Sequence, residues 1–264
     1  MSPNHGLEAL TLRIAGEERT LYLRTNSSDS ELVGQIFVDE AFSLAKLPRR
    51  DELLQWLSAC RSSEKTPLII DAGANIGLSS LALSAQIPDA LVVAIEPDPD
   101  NFALLAMNTE GMPVLPLPAA LGAEPTRAAI MDPGRGSWGI QTTTEGATEQ
   151  STLVPVVTVD EIIRCFEMSH CPGIVKIDIE GFESNVFSGS GVWHEAVPLV
   201  IVELHDWMLP RARTSHPVLR RLLESDRDFV IVGENLFCML NDLDHRSGPL
   251  PERPTDSMTG TEIG

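Results

Sequence analysis

The residues best equipped for chemistry sit in short polar clusters that follow apolar runs. Asp71, Gly73, Asn75 and Gly77 form D-x-G-x-N-x-G at the end of PLII. Gly73 lets the backbone approach a ligand closely, and Gly77 lets a helix begin tightly. A dinucleotide site requires G-x-G-x-x-G, so that pyrophosphate settles on a helix N-terminus. Here the middle glycine is missing, Asn75 carries a side chain, and Asp71 adds negative charge. Such a turn disfavours a diphosphate and tolerates a cation. Glu96 ends the next apolar run, ALVVAI, where a carboxylate can take both ribose hydroxyls. An adenosine with a cationic, phosphate-free tail suits this pair of features, and S-adenosylmethionine is such a molecule.

The elements that must position these groups alternate from about Pro67 onward. PLIIDAG is a strand, and GLSSLALSAQ a helix with Leu78, Leu81, Ala82 and Ala85 on one face. ALVVAIE is a strand, and DPDNFALLAMN a helix capped by Asp98 with Pro99 in its first turn. MPVLPLPAALG reads as a third strand whose prolines mark ends or an edge. TVDEIIRCF opens a helix with a capping box, Thr158 with Glu161. GIVKIDIE and PLVIVELH are strands, each followed by a helical pattern, and DFVIVGENLFCMLND is an antiparallel hairpin. Repeated βα units predict an α/β fold, a mostly parallel sheet with helices on both faces and one strand reversed by the hairpin. In such a sheet ligands bind at the carboxyl ends of the strands. Those ends are DAGANIG, EPD, AALG, DIEG and ELH, all rich in glycine or acids.

Three segments fall outside this core. Residues 1–65 form an N-terminal extension with two strand-like pieces, LTLRIAG and RTLYLRT, and a helix in PRRDELLQWLSAC. Residues 66–245 are the main domain. Within it, 132–151 is a Gly/Thr-rich insertion containing Trp138, read either as a lid over the strand ends or as a packed hairpin. Residues 246–264 have the composition of a disordered tail.

The net charge of −19 repels phosphate backbones and anionic membranes, so neither nucleic acid nor a membrane is expected as partner. No apolar run reaches the ~20 residues of a membrane helix, and the N-terminus lacks a signal-peptide pattern. The protein reads as cytoplasmic. Cys60, Cys165, Cys171 and Cys238 lack a C-x-x-C pair and read as buried hydrophobes or idle thiols. His170 beside Cys171 reads as loop decoration.

IIDAGANIGLSSL, AIEPDPDNFALLAMN, TVDEII, VKIDIEGFE and VIVELH resemble successive motifs of the FkbM-type S-adenosylmethionine-dependent methyltransferases. LYLRTNSSDSELVGQIFVDEAFSL resembles that family's lead-in, and the likeness spans roughly residues 20–240. The resemblance implies a Rossmann-like class I methyltransferase fold and methylation of a hydroxyl on a sugar, small molecule or secondary metabolite. It places the cofactor turn on Asp71, Gly73, Asn75 and Gly77 and the ribose acid on Glu96. It sets Asp98 and Ala120 near adenine and Asp178 beside the transferred methyl group.

An alcohol acceptor benefits from a general base, worth about 10²–10⁴-fold. Asp178 and His205 are the leading candidates, with Glu180 and Glu203 on the same edge. Glu180 could equally be an acid at a helix N-terminus, and Glu203 a structural hydrogen-bonding group. These four also offer ligands to a divalent metal, although no short ligand motif marks a site, and metal use stays open. The expected partner is a small-molecule or glycoside acceptor; a homo-oligomer is neither demanded nor excluded. A nicotinamide oxidoreductase would need the missing glycine. A non-catalytic cofactor-binding or scaffolding protein is the remaining alternative.

Overall fold

A computed structural model describes residues 6–131, 141–143 and 153–243. The expectations for Trp138, for most of the 132–151 insertion and for the 246–264 tail lie outside the described residues.

The N-terminal hairpin is β1 (Leu7–Ile14) paired antiparallel with β2 (Glu17–Arg24). A short α1 (Asp29–Val33), not foreseen from the polar SSDS, continues into a π-helical turn at Gly34–Val38. Helix α2 (Arg50–Ser62) then buries Leu53, Trp56 and Leu57. The core alternates as β3 (Thr66–Ala72), α3 (Leu78–Gln86), β4 (Leu91–Ile95), α4 (Pro99–Asn108) and β5 (Val114–Leu117). The expected third strand divides. Pro118 follows β5, and Ala120–Leu121 leaves the main sheet as β6. β5 lies at the sheet edge, where the missing N–H of Pro116 costs no ladder bond.

β6 joins β7 (Thr126–Met131), β8 (Gln141–Thr143) and β9 (Leu153–Val157) in a separate four-stranded sheet. The chain continues through α5 (Val159–Phe166), β10 (His170–Ile177), α6 (Glu183–Ser188), β11 (Leu199–Glu203) and α7 (Ser215–Glu224). It closes with the hairpin β12 (Arg227–Val232) and β13 (Asn235–Leu240). The main sheet runs β12-β13-β11-β10-β3-β4-β5. β3, β4, β5, β10 and β11 pair in parallel, while β13 runs antiparallel to both its neighbours. This is the α/β architecture with a reversed C-terminal hairpin that the alternation predicts.

The central strands are buried on both faces, as parallel strands covered by helices must be. Leu68, Ile70 and Ala72 pack into a layer with α5, α6 and α7 residues such as Ile162, Phe187 and Leu222. Ile69, Ile174 and Ile201 pack on the other face against Leu53, Trp56 and Leu57 of α2. The helix caps form as the residue types dictate. The Asp98 carboxylate accepts from the N–H groups of Asp100 and Asn101, and Thr158 with Glu161 completes its capping box.

The cysteine expectation is overturned for one pair. Cys60 on α2 and Cys171 on β10 form a disulfide, with Cα atoms 6.3 Å apart. Packing α2 across the sheet brings the two thiols together from 111 residues apart, a proximity that sequence spacing conceals. His170 is therefore the first residue of a core strand, edge-on to Phe166, rather than loop decoration. No helix among the described residues is long and apolar enough to cross a membrane.

Candidate active site

The chain leaves β3 through three left-handed residues, Gly73 (φ +75°), Asn75 (φ +50°) and Gly77 (φ +91°). A Cβ on Gly73 would lie 1.7 Å from the Asp178 carbonyl oxygen, so only glycine fits. A Cβ on Gly77 would meet Leu105 at 2.9 Å and Thr109 at 3.0 Å. Both glycines thus serve the close approach of turn, β10 and α4. The N–H groups of Gly73 and Ala74 donate to the Ile95 carbonyl, tying the turn to the end of β4. The Asn75 N–H donates to Glu96 Oε2 at 2.9 Å, while Glu96 Oε1 accepts from the Asp98 N–H at 2.9 Å. Burial pushes the Glu96 carboxyl up to about 7, against these hydrogen bonds, which favour its charged form.

A cavity of about 530 Å³ opens over this turn. Gly73, Asn75, Glu96 and Ala120 line it together with Asp178, Glu180, Glu203 and His205. Asp71, Gly77 and Asp98 belong to the layer behind the wall, which refines their expected cofactor contacts. Asp98 spends its carboxylate on the α4 cap. Asp71 is fully buried and accepts from the Ser79 and Ser80 hydroxyls at 2.7 and 2.6 Å. Its other oxygen lies 3.1 Å from Lys176 Nζ. The cation that Asp71 tolerates is therefore the chain's own.

Lys176 had no role in the sequence reading, yet it ties the site together. Its ammonium donates to the Gly73 carbonyl at 2.8 Å and lies 3.5 Å from Asp178 Oδ2. It also stands 5.5 Å from the centre of the Phe42 ring. Burial lowers its pKa, but Asp71 and Asp178 outweigh that and hold it above the ordinary lysine value. The available signal was a lysine inside an apolar strand, in register with Asp71 on β3.

His205 is almost fully buried, 2% exposed. Its Nδ1 stands 2.9 Å from Glu183 Oε1. Its Nε2 faces Glu203 at 3.4 Å, and Asp178 and Glu180 at 3.7 Å each. Burial disfavours the charged imidazole, but Glu183, Asp178 and Glu180 prevail and raise its pKa to about 9. Burial and the Asp178 charge push Glu180 up to about 8 and Glu203 to about 7. The acid in the first turn of α6 is Glu183, which accepts from the Ile179 and Gly181 N–H groups. Glu180 faces the cavity instead, which decides against its reading as a helix-terminal acid. Asp178, Glu203 and His205 each offer a ligand atom within 4.8 Å of the others, a set able to hold a metal.

The N-terminal extension supplies a wall of the cavity, including Ser28, Gln35 and Phe42. Arg24, paired with buried Asp29, donates to Asn101 of α4 at 2.8 Å and anchors this wall. Trp207 also lines the cavity while remaining 60% exposed. Sequence reading missed both, because neither lies on a strand end.

The Methyltransferase FkbM domain family matches residues 71–231. A hexuronic acid methyltransferase, AglP of Haloferax volcanii, is 28% identical over 203 residues, covering 74% of this chain and 81% of that protein. Methyltransferase sdnD of Sordaria araneosa is 30% identical over 92 residues, 34% of this chain and 29% of its own length. Among solved structures, monomeric WbdD is similar at a TM-score of 0.39 and 13% identity, covering 74% of this chain and 42% of that one. The family match takes in the turn, Glu96 and the whole acid–histidine cluster, and the chain belongs to the FkbM methyltransferase family.

Proposed function

We propose that the chain is an S-adenosylmethionine-dependent O-methyltransferase acting on a hydroxyl of a sugar, a small molecule or a secondary metabolite. One observation carries this reading. One cavity is lined by a glycine turn with its buried carboxylate and also by a histidine and three carboxylates. The turn and Glu96 suit adenosine. Glu96 keeps lone pairs for ribose hydroxyls, and Asn75 Oδ1 is a buried acceptor with no hydrogen-bond partner. Ala120 and Ile95 give an apolar wall for a base. When bound, S-adenosylmethionine supplies a methyl group already activated by its sulfonium.

The chain's own residues then have two tasks. The first is orientation, which supplies up to ~7–11 kcal/mol of barrier lowering in ideal cases. The extension and the β12–β13 turn wall the cavity toward that end. The second is removal of the hydroxyl proton, for which the carboxylates of Asp178 and Glu180 are at hand, because His205, raised to about 9 by its acid neighbours, already carries a proton near neutral pH. Exposed Trp207 offers a flat face on which a sugar ring can stack. The hexuronic acid methyltransferase relative favours a sugar acceptor.

The test is a thermal-shift comparison of S-adenosylhomocysteine with NAD, followed by radiolabelled methyl transfer to a panel of sugars that includes hexuronates. S-adenosylhomocysteine should stabilise the protein and NAD should not. Stabilisation by NAD alone would overturn the cofactor assignment. Binding without transfer to any acceptor would favour a non-catalytic binding protein.

A further inference from the structure

We infer that Asp178, Glu203 and His205 form a divalent-cation site that receives the acceptor and leaves Glu180, beside these ligands, to take the hydroxyl proton, a deepening that rests on the methyltransferase reading. Geometry carries the inference. An ion 2.1–2.3 Å from each ligand sets neighbouring ligand atoms roughly 3.0–3.7 Å apart. His205 Nε2 lies 3.4 Å from Glu203 Oε1 and 3.7 Å from Asp178 Oδ1. Those separations suit a shared ion and are too long for direct hydrogen bonds, which close to about 3.2 Å. An imidazole and carboxylates that needed only each other would have closed that gap. Instead the three ligand atoms lie apart but all within 4.8 Å of one another.

The surroundings point the same way. His205 is almost completely buried, and its Nδ1 faces Glu183. Glu183 is itself held by the Ile179 and Gly181 N–H groups. A carboxylate on the far nitrogen is the usual means of orienting a metal-bound histidine. Lys176 lies 3.5 Å from Asp178 Oδ2, while Oδ1 is the oxygen that faces the histidine, at 3.7 Å. One imidazole and two carboxylates form a donor set for Mn²⁺ or Mg²⁺ with positions left for substrate oxygens. The acceptor class follows from this. A hydroxyl with an adjacent oxygen, either a vicinal diol or a hydroxyl beside a carboxylate, can chelate the ion. The cation also offsets the carboxylates of Asp178, Glu180 and Glu203 that an anionic sugar would meet in the cavity.

Mn²⁺ binding to the full-length protein, followed by electron paramagnetic resonance without cofactor or acceptor, tests the site. One Mn²⁺ per chain should bind and be displaced by excess Mg²⁺. Glu203→Gln and His205→Ala should each weaken binding more than about tenfold, and Glu183→Gln, acting through the histidine, about 10–100-fold. Glu18→Gln on the N-terminal hairpin should change nothing. Retained S-adenosylhomocysteine affinity certifies that each variant is folded; should His205→Ala fail that check, Glu203→Gln decides. Mn²⁺ binding that is absent, or equal in all variants, refutes the cation site. Intact S-adenosylhomocysteine binding in the same samples would leave the methyltransferase reading standing.

Discussion

Replacing Lys176 with methionine removes the buried cation on which the cofactor turn rests. Lys176 and Asp71 are both almost inaccessible, at 2% and 0% exposure, and their charges stand 3.1 Å apart. At an effective dielectric of 20 the attraction is 332/(20 × 3.1), or about 5 kcal/mol. Desolvation of both groups offsets much of that in the intact pair. The variant keeps the cost of burying Asp71 and loses the attraction, so about 3–5 kcal/mol of stability should disappear. A domain of ordinary stability, about 5–15 kcal/mol, would lose between a fifth and all of its margin. Urea denaturation of Lys176→Met, Asp71→Asn and the double variant measures the loss as a cycle. The double variant buries no charge at this point, so it should recover at least about 2 kcal/mol relative to the sum of the singles. Lys176→Met should also weaken S-adenosylhomocysteine binding, because the Gly73 carbonyl and Asp178 lose their common anchor. A loss under about 1 kcal/mol, or strict additivity, would show that the pair does not organise the turn.

Three other outcomes follow from the structure. Burial raises Glu96 from 4.5 to about 7, so its contribution to stability is complete below about 4.5 and is lost as pH rises through 7. That contribution is on the order of 3 kcal/mol. Glu96→Gln should flatten the fall in urea-measured stability between pH 5 and 8 and weaken S-adenosylhomocysteine binding, whereas Glu8→Gln should do neither. Gly73→Ala forces a Cβ to within 1.7 Å of the Asp178 carbonyl in a left-handed conformation. A loss above about 3 kcal/mol is expected, and a melting temperature equal to the parent's would contradict the packing. Cys60→Ser opens a loop of 111 residues, which chain entropy values at up to about 4–5 kcal/mol. Thermal unfolding of the parent with and without reductant should reproduce that shift, and insensitivity to both treatments would deny the crosslink a stabilising role.

Much of the framework was legible in the chain. Buried parallel strands are apolar at nearly every position, and PLII, ALVVAI and PLVIVE read as strands without further information. Capping residues act within one helical turn, so Asp98, Thr158 and Glu161 reveal their roles locally. The left-handed turn also announces itself, because Gly73 and Gly77 stand where other residues would strain or collide. Groups that depend on contacts between distant segments were not legible. The third strand divided at Pro118, since the choice between two sheets depends on partners far along the chain. Asp71 appeared as a free acid near the ligand, and only the register of β3 against β10 sets Lys176 beside it. Cys60 and Cys171 looked idle until α2 crossed the sheet. Which acids converge on His205 was likewise settled by tertiary structure. Sequence alone put Asp178, Glu180, Glu203 and His205 on one edge, because strand ends share an edge by topology. Their meeting at one point depends on loop paths and side-chain packing, which no local propensity encodes.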